Sequence, residues 1–298
     1  MQARHVDLRL RIPGFRRYAR DRERLRIQAE ELEQLRTRLA TVERQAAALA
    51  ARAGLAEADP AAGSDEWAAR ARRYEYYWAN AEKKIDLLAM RPFGPLARRV
   101  LEEGRTFLNV DRLYTLWQGV MALPADAAAV AEVGVFKGGS ARLVAEAMQL
   151  AGRMHPFYAC DTFAGHTVVD EALDGRHRVG KQFRSKGGSL APRVQKYLSR
   201  YDFLHVLEGD IRDTAAQFSD EQRFGLVHID VDVHPITQFC LEFFASRVVV
   251  GATIVVDDYG FVTCHGAKVA VDEFVAAHRD RFWAMHLLTG QAVLTRVR

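Results

Sequence analysis

Along the C-terminal two thirds of the chain, short apolar runs alternate with segments whose hydrophobic residues recur every three or four positions. The runs Ala129–Val135, Phe157–Cys160, Phe203–Leu207, Phe224–Val231, Val248–Val256, Trp283–Leu288 and Gln291–Val297 read as strands. Between them, Gly139–Leu150, Pro192–Tyr201, Ile236–Phe244 and Gly266–Arg279 read as amphipathic helices, preceded by helical stretches at Leu96–Glu103 and Asp111–Leu123. Apolar strands separated by helices predict a parallel sheet covered on both faces. The final two runs join through Thr289-Gly290, a tight turn, so the last strand is expected to be antiparallel. The predicted class is α/β: a doubly wound, seven-stranded, mostly parallel sheet.

Upstream the pattern differs. Leu25, Leu32, Leu39 and Ala46 repeat every seven residues, with Leu35, Val42 and Leu49 three positions later. This is the seam of a coiled coil, interrupted at Gln28; the alternative is one long helix docked on the body. Pro60 and the Ala/Gly-rich stretch around it mark a linker, and Trp67, Ala71, Tyr74, Trp78, Ala81, Ile85 and Leu88 predict a second helix over Asp65–Leu88. The expected organisation is a basic arm and coiled-coil-like helix over 1–60, a helical connector over 61–94 and the α/β domain over 95–298.

Charge sharpens this division. The chain of 298 residues carries +4, yet residues 1–54 hold 13 arginines against 7 acidic residues, which leaves the remainder mildly acidic. A basic nucleic-acid-binding core is therefore not expected, although the arm suits an anionic surface or a partner protein. The longest apolar run, Val248–Val256, is nine residues, under half of the roughly 20 that a membrane-spanning helix needs. Three scattered cysteines without a CxxC fit a reducing cytoplasm.

In doubly wound sheets, ligands bind beyond the carboxyl ends of the strands. The first strand ends in Glu132-Val-Gly134-Val-Phe-Lys-Gly-Gly-Ser140. Its glycines allow close backbone approach, but Phe136 and Lys137 stand where a dinucleotide pyrophosphate demands small residues, which favours a nucleoside without a pyrophosphate. The second strand ends at Asp161, a position that accepts hydrogen bonds from ribose hydroxyls or caps the following loop. The third ends in Glu208-Gly-Asp210, where Asp210 suits either an adenine edge or a helix cap.

The fourth strand runs into His228-Ile-Asp230-Val-Asp232, and alternation sends both aspartates to one side. The fifth ends in Asp257-Asp258. Carboxylates at the ends of apolar strands are costly unless paired with a cation, and four oxygen-bearing acids suit a hard divalent ion such as Mg²⁺. His228, deep in a strand, reads as a satisfied core histidine, whereas His234 and His265 lie near enough to the acids to line a substrate pocket.

Taken in order, these motifs resemble the macrocin O-methyltransferase family, Rossmann-like class I enzymes that use S-adenosylmethionine and Mg²⁺ to methylate sugar hydroxyls. Further parts of the likeness are Asp161-Thr-Phe, Asp257-Asp-Tyr-Gly260, Gly266-Ala-Lys-Val-Ala-Val-Asp-Glu-Phe274, Thr289-Gly-Gln-Ala-Val293 and the upstream Arg105–Trp117. The resemblance implies that Glu132 and Gly134 border the methionine part of the cofactor, that Ser140 belongs to the same cofactor site, that Asp161 holds the ribose and that Asp210 lies near the adenine. It implies Asp230, Asp257 and Asp258 as metal ligands, with Asp230 or Asp232 as the base. After the acidic pair the family has Leu-Tyr where this chain has Val233-His234, and the polar segment 165–188 has the texture of a lid.

The expected partners are a small-molecule or glycan acceptor and, through the heptads, a second copy in a homo-oligomer. Rival readings are catechol-type O-methylation, a glycosyltransferase using Asp230-Val-Asp232 as a DxD metal site, and a non-catalytic coiled-coil assembly protein. The early glycine turn, Asp161 and the second acidic pair are not needed by a DxD enzyme.

Overall fold

The computed structural model describes residues 85–126, 129–175 and 189–298. The coiled-coil stretch, most of the connector helix and the segment 176–188 of the expected lid lie outside the described residues. Residues 85–88, assigned from the sequence to the end of the connector helix, are loop and turn rather than helix.

The chain forms α1 (Phe93–Glu102), α2 (Val110–Met121), β1 (Val130–Val133), α3 (Gly139–Ala151), β2 (Phe157–Asp161), α4 (Ala191–Leu198) and β3 (Leu204–Glu208). It continues through α5 (Ile211–Thr214), β4 (Phe224–Ile229), α6 (His234–Ala245), β5 (Val248–Val256), α7 (His265–Ala277), β6 (Phe282–His286) and β7 (Ala292–Arg296). The sheet order is β3-β2-β1-β4-β5-β7-β6. Strands β1 to β5 are parallel, and β7 lies antiparallel between β5 and β6. The doubly wound seven-stranded sheet with an antiparallel last strand is thus as the hydrophobic pattern predicts.

Alternation along the strands builds two cores. Val130, Phe157, Ala159, Leu226 and Val255 face α1 to α4, whereas Ala131, Cys160, Val227, Ile254 and Val256 face α5 to α7. Helix α2 comes close to the sheet at Gly119, where a Cβ would stand 2.9 Å from the Leu226 side chain. Strand order reverses between β1 and β4, so the carboxyl ends of these two neighbours mark the switch point where such sheets bind ligands.

Candidate active site

The turn from β1 into α3 is fixed by two close approaches. Gly134 has φ +93° and a Cβ there would lie 1.8 Å from the Asp230 carbonyl oxygen, so only glycine lets β1 and β4 meet at this point. Phe136, at φ +50°, adopts a left-handed conformation that non-glycine residues rarely take. Asp161 holds it there. Its Oδ2 accepts from the backbone N–H groups of Val135 at 2.7 Å and Phe136 at 2.6 Å, and its Oδ1 accepts from Phe163 N–H at 2.7 Å. Burial pushes the Asp161 carboxyl above the usual carboxylate range against the pull of these three donors.

This turn opens on a cavity of about 660 Å³ at the switch point. Gly134, Ser140, Asp161, Asp210, Asp230, Asp232 and Asp258 line it, which brings together seven of the nine residues singled out from the sequence. At its mouth Phe107 stacks on Phe136, ring centroids 5.0 Å apart.

Glu132 does not line the cavity. It is 1% exposed, and His228 Nδ1 lies 3.0 Å from its Oε1. Glu132 and His228 are register partners on β1 and β4, so both point into the core layer beneath the cavity floor. On its other nitrogen, Nε2, His228 faces Asp257 Oδ1 at 3.6 Å. Burial alone would lower the imidazole pKa; Asp257 and Glu132 outweigh it and hold it up to about 10. His228 is therefore a core histidine, set between two buried carboxylates.

Asp257, the other of the nine outside the lining, is wholly buried. Gln291 Nε2 donates to its Oδ1 at 2.8 Å, and Arg112 of α2 forms an ion pair with its Oδ2. The Asp257 backbone N–H donates to Ile229 O at 2.9 Å, which sets Asp257 beside Asp230 at the ends of neighbouring strands. Oxygens of Asp230, Asp257 and Asp258 all lie within 4.8 Å of one another. Burial and mutual repulsion push the Asp230 and Asp258 carboxyls well above the ordinary range. Asp258 Oδ2 is buried with no hydrogen-bond partner. An orphaned carboxylate oxygen inside a set of hard oxygen donors fits a divalent cation such as Mg²⁺.

Asp230 and Asp232 do share one cavity, but strand alternation is not the reason. Strand β4 stops at Ile229, and Asp232 reaches the cavity through a left-handed backbone, φ +61°. His166 Nε2 lies 3.3 Å from its Oδ2, and Cys264 Sγ donates to its Oδ1 at 3.4 Å. Asp210 serves as the cap of α5, accepting from Arg212 N–H at 2.9 Å, while it also lines the cavity. The Arg212 guanidinium holds its carboxyl down to about 2.

His234 and His265, the histidines expected at the substrate pocket, are not in the cavity lining: His234 pairs with Glu273 at 3.4 Å and His265 is exposed. His166, Arg112 and Gln291 were not singled out for the site by sequence reasoning. Each lies apart in the sequence from the aspartate it touches, and only Arg112 and Gln291 fall inside motifs that the resemblance had marked.

Comparison with known proteins agrees with this architecture. Residues 131–259 match a family profile described as a methyltransferase domain. A Streptomyces olivaceus protein described as an 8-demethyl-8-(2,3-dimethoxy-alpha-L-rhamnosyl)-tetracenomycin-C 4'-O-methyltransferase is 24% identical over 173 residues. That match spans 54% of this chain and 65% of the relative's length. Among solved structures, the O-methyltransferase NovP superposes with a TM-score of 0.55 at 23% identity, covering 65% of this chain and 83% of that one. CalS11, a calicheamicin methyltransferase, does so with 0.51 at 17%, covering 72% and 97%. The methyltransferase resemblance carried by the motifs is borne out, and the fold is shared. Among the described residues no helix is long and apolar enough to cross a membrane.

Proposed function

We propose that this chain, whose residues 131–259 match a methyltransferase-domain profile, transfers a methyl group from S-adenosylmethionine to a hydroxyl of a sugar or glycosylated metabolite, with Mg²⁺ as second cofactor. One observation carries the reading. A single cavity joins a nucleoside-sized cradle, built on Gly134 and Asp161, to the oxygens of Asp230 and Asp258.

In this reading Gly134 and Ser140 border the methionine portion of the cofactor, and Asp161 and Asp210 border its ribose and adenine. The Val135 and Phe136 amides already donate to Asp161, so these two N–H groups are not open to a pyrophosphate. Asp230, Asp257 and Asp258 would hold the cation, which when bound supplies a positive charge that orients the acceptor oxygens and makes the hydroxyl more acidic. Asp232 then takes the hydroxyl proton. The oxygen attacks the methyl carbon in line, and the C–S bond breaks with its electron pair returning to sulfur, which leaves a neutral thioether. A base so placed contributes typically about 10²–10⁴-fold, and fixing the oxygen and methyl in line supplies much of the rest.

The sugar class of acceptor is favoured over a catechol by the S. olivaceus relative, whose described substrate carries a dimethoxyrhamnosyl group. The same domain match favours methyl transfer over the sugar-nucleotide reading of Asp230-Val-Asp232. The three buried free cysteines suit a reducing cytoplasm. Self-association through the heptads of residues 25–49 completes the proposal. The deciding experiment incubates purified protein with methyl-labelled S-adenosylmethionine, Mg²⁺ and either rhamnosylated polyketides or catechols. Label on a sugar hydroxyl supports the proposal. Label on catechol alone, or retention of a sugar nucleotide in place of S-adenosylmethionine, overturns it.

A further inference from the structure

Resting on Asp232 as the proton acceptor, we propose that His166 is a positioning residue for methyl transfer, its imidazole holding the Asp232 carboxylate in the plane from which it meets the acceptor hydroxyl. Asp232 stands past the end of β4 on a left-handed backbone, where no strand neighbour fixes its side chain. The terminal torsion of an aspartate is broad and is set by whatever its two oxygens contact. Here both are tethered, Oδ2 by His166 Nε2 and Oδ1 by Cys264 Sγ.

The imidazole is itself delivered by a pinned loop. Gly165, at φ +88°, reverses the chain, and Thr162 Oγ1 donates to its carbonyl at 2.7 Å. One residue beyond His166, the Thr167 hydroxyl donates to Asp210 Oδ2 at the end of β3. Further on, buried Asp174 accepts from the His234 N–H at 3.0 Å, at the first turn of α6, and from the Asp170 N–H at 2.8 Å. Gly266 leaves room for this anchor, since a Cβ there would lie 1.9 Å from Asp174 Oδ1. The loop is therefore tied to β3 on one side and to α6 on the other. His166 stands one residue before the first of these ties, 10% exposed in its side chain and facing Asp232. A base displaced by about 1 Å can lose 10²-fold in rate, so this tether acts on turnover rather than on substrate affinity.

Two measurements test the assignment. In the ¹⁵N-labelled full-length protein, the His166 Nε2 resonance should report a protonated, hydrogen-bonded nitrogen and should move on Asp232→Ala; a resonance unchanged by that substitution overturns the proposal whatever the acceptor. Kinetics use S-adenosylmethionine, Mg²⁺ and methyl α-L-rhamnopyranoside. His166→Ala should lower kcat roughly 10–100-fold with KM for S-adenosylmethionine unchanged, and His166→Gln, which keeps an N–H at the same reach, should recover most of it. In an Asp232→Asn background, His166→Ala should cost little more, since residues acting as one unit are non-additive. An equal loss in both backgrounds, or a loss confined to KM, overturns the proposal. A wild-type protein that moves no methyl group refutes the function proposed above instead, and the imidazole measurement still decides His166.

Discussion

Gln291 donates its side-chain amide to Asp257 across 2.8 Å, and both side chains are wholly buried. The pair joins the residue just before β7 to the residue just after β5, strands whose register sets Val256 opposite Ala292. The C-terminal hairpin thus supplies the sheet with a strand and the acid cluster with a donor. Replacing Gln291 with Leu keeps the volume and leaves a buried charge short of one hydrogen bond. Equilibrium urea unfolding without added metal should show a loss of about 1–3 kcal/mol; a change near zero would mean that Arg112 alone satisfies Asp257.

Asp258 Oδ2 is buried without a hydrogen-bond partner, and Asp232 and Asp257 crowd it with like charge. Asp258→Asn should therefore raise the melting temperature of the metal-free protein by removing repulsion. The same change should abolish the stabilisation that Mg²⁺ gives the wild type, which at 100 times Kd amounts to about 2.7 kcal/mol. Equal Mg²⁺-induced shifts in thermal unfolding of the two proteins would place the cation elsewhere.

Asp210 gives a pH dependence of known sign. Its carboxyl is held down to about 2, first by hydrogen bonds from the Arg212 guanidinium, so the native state favours the ionised form. A depressed carboxyl stabilises above its ordinary value near 3.9, and this contribution is lost as pH falls through about 2. Asp210→Asn should be less stable than the wild type at pH 7, and the gap should close between pH 4 and pH 2 in chemical denaturation. A gap that persists at the acid end would assign the effect to lost cap geometry instead of charge.

The three thiols should be inert in the native protein. Cys160, Cys240 and Cys264 are all buried, and burial pushes their thiols up, that of Cys160 to about 12. Thiolate is the reactive form. Maleimide at pH 7.5 should label none of them until denaturant is added, as mass spectrometry would show. Fast native labelling of Cys264 would mean that the tether on Asp232 opens readily.

The sheet was legible because its strands are apolar on both faces; Val248–Val256 begins and ends where the pattern puts it. The fourth strand was read two residues too long, since Asp230 and the left-handed Asp232 carry the apolar run out of the sheet and into the cavity. The grouping of acids was legible because they stand at the ends of neighbouring apolar strands, where their oxygens come within 4.8 Å of one another. What the sequence hides is pairing across the fold. Nothing in the spacing of Glu132 reveals that His228 faces it from the next strand. Histidines near the acids in sequence drew attention to His234 and His265, whereas His166, in a loop after another strand, is the one that reaches Asp232.

The claim of Asp161 on two consecutive amides ties the strand that carries it to the turn that follows its neighbour. Its other oxygen takes the Phe163 amide, so one side chain anchors the chain beyond both β1 and β2. Val135, Phe136 and Phe163 all line the cavity, and a single carboxylate therefore sets the spacing of two of its walls.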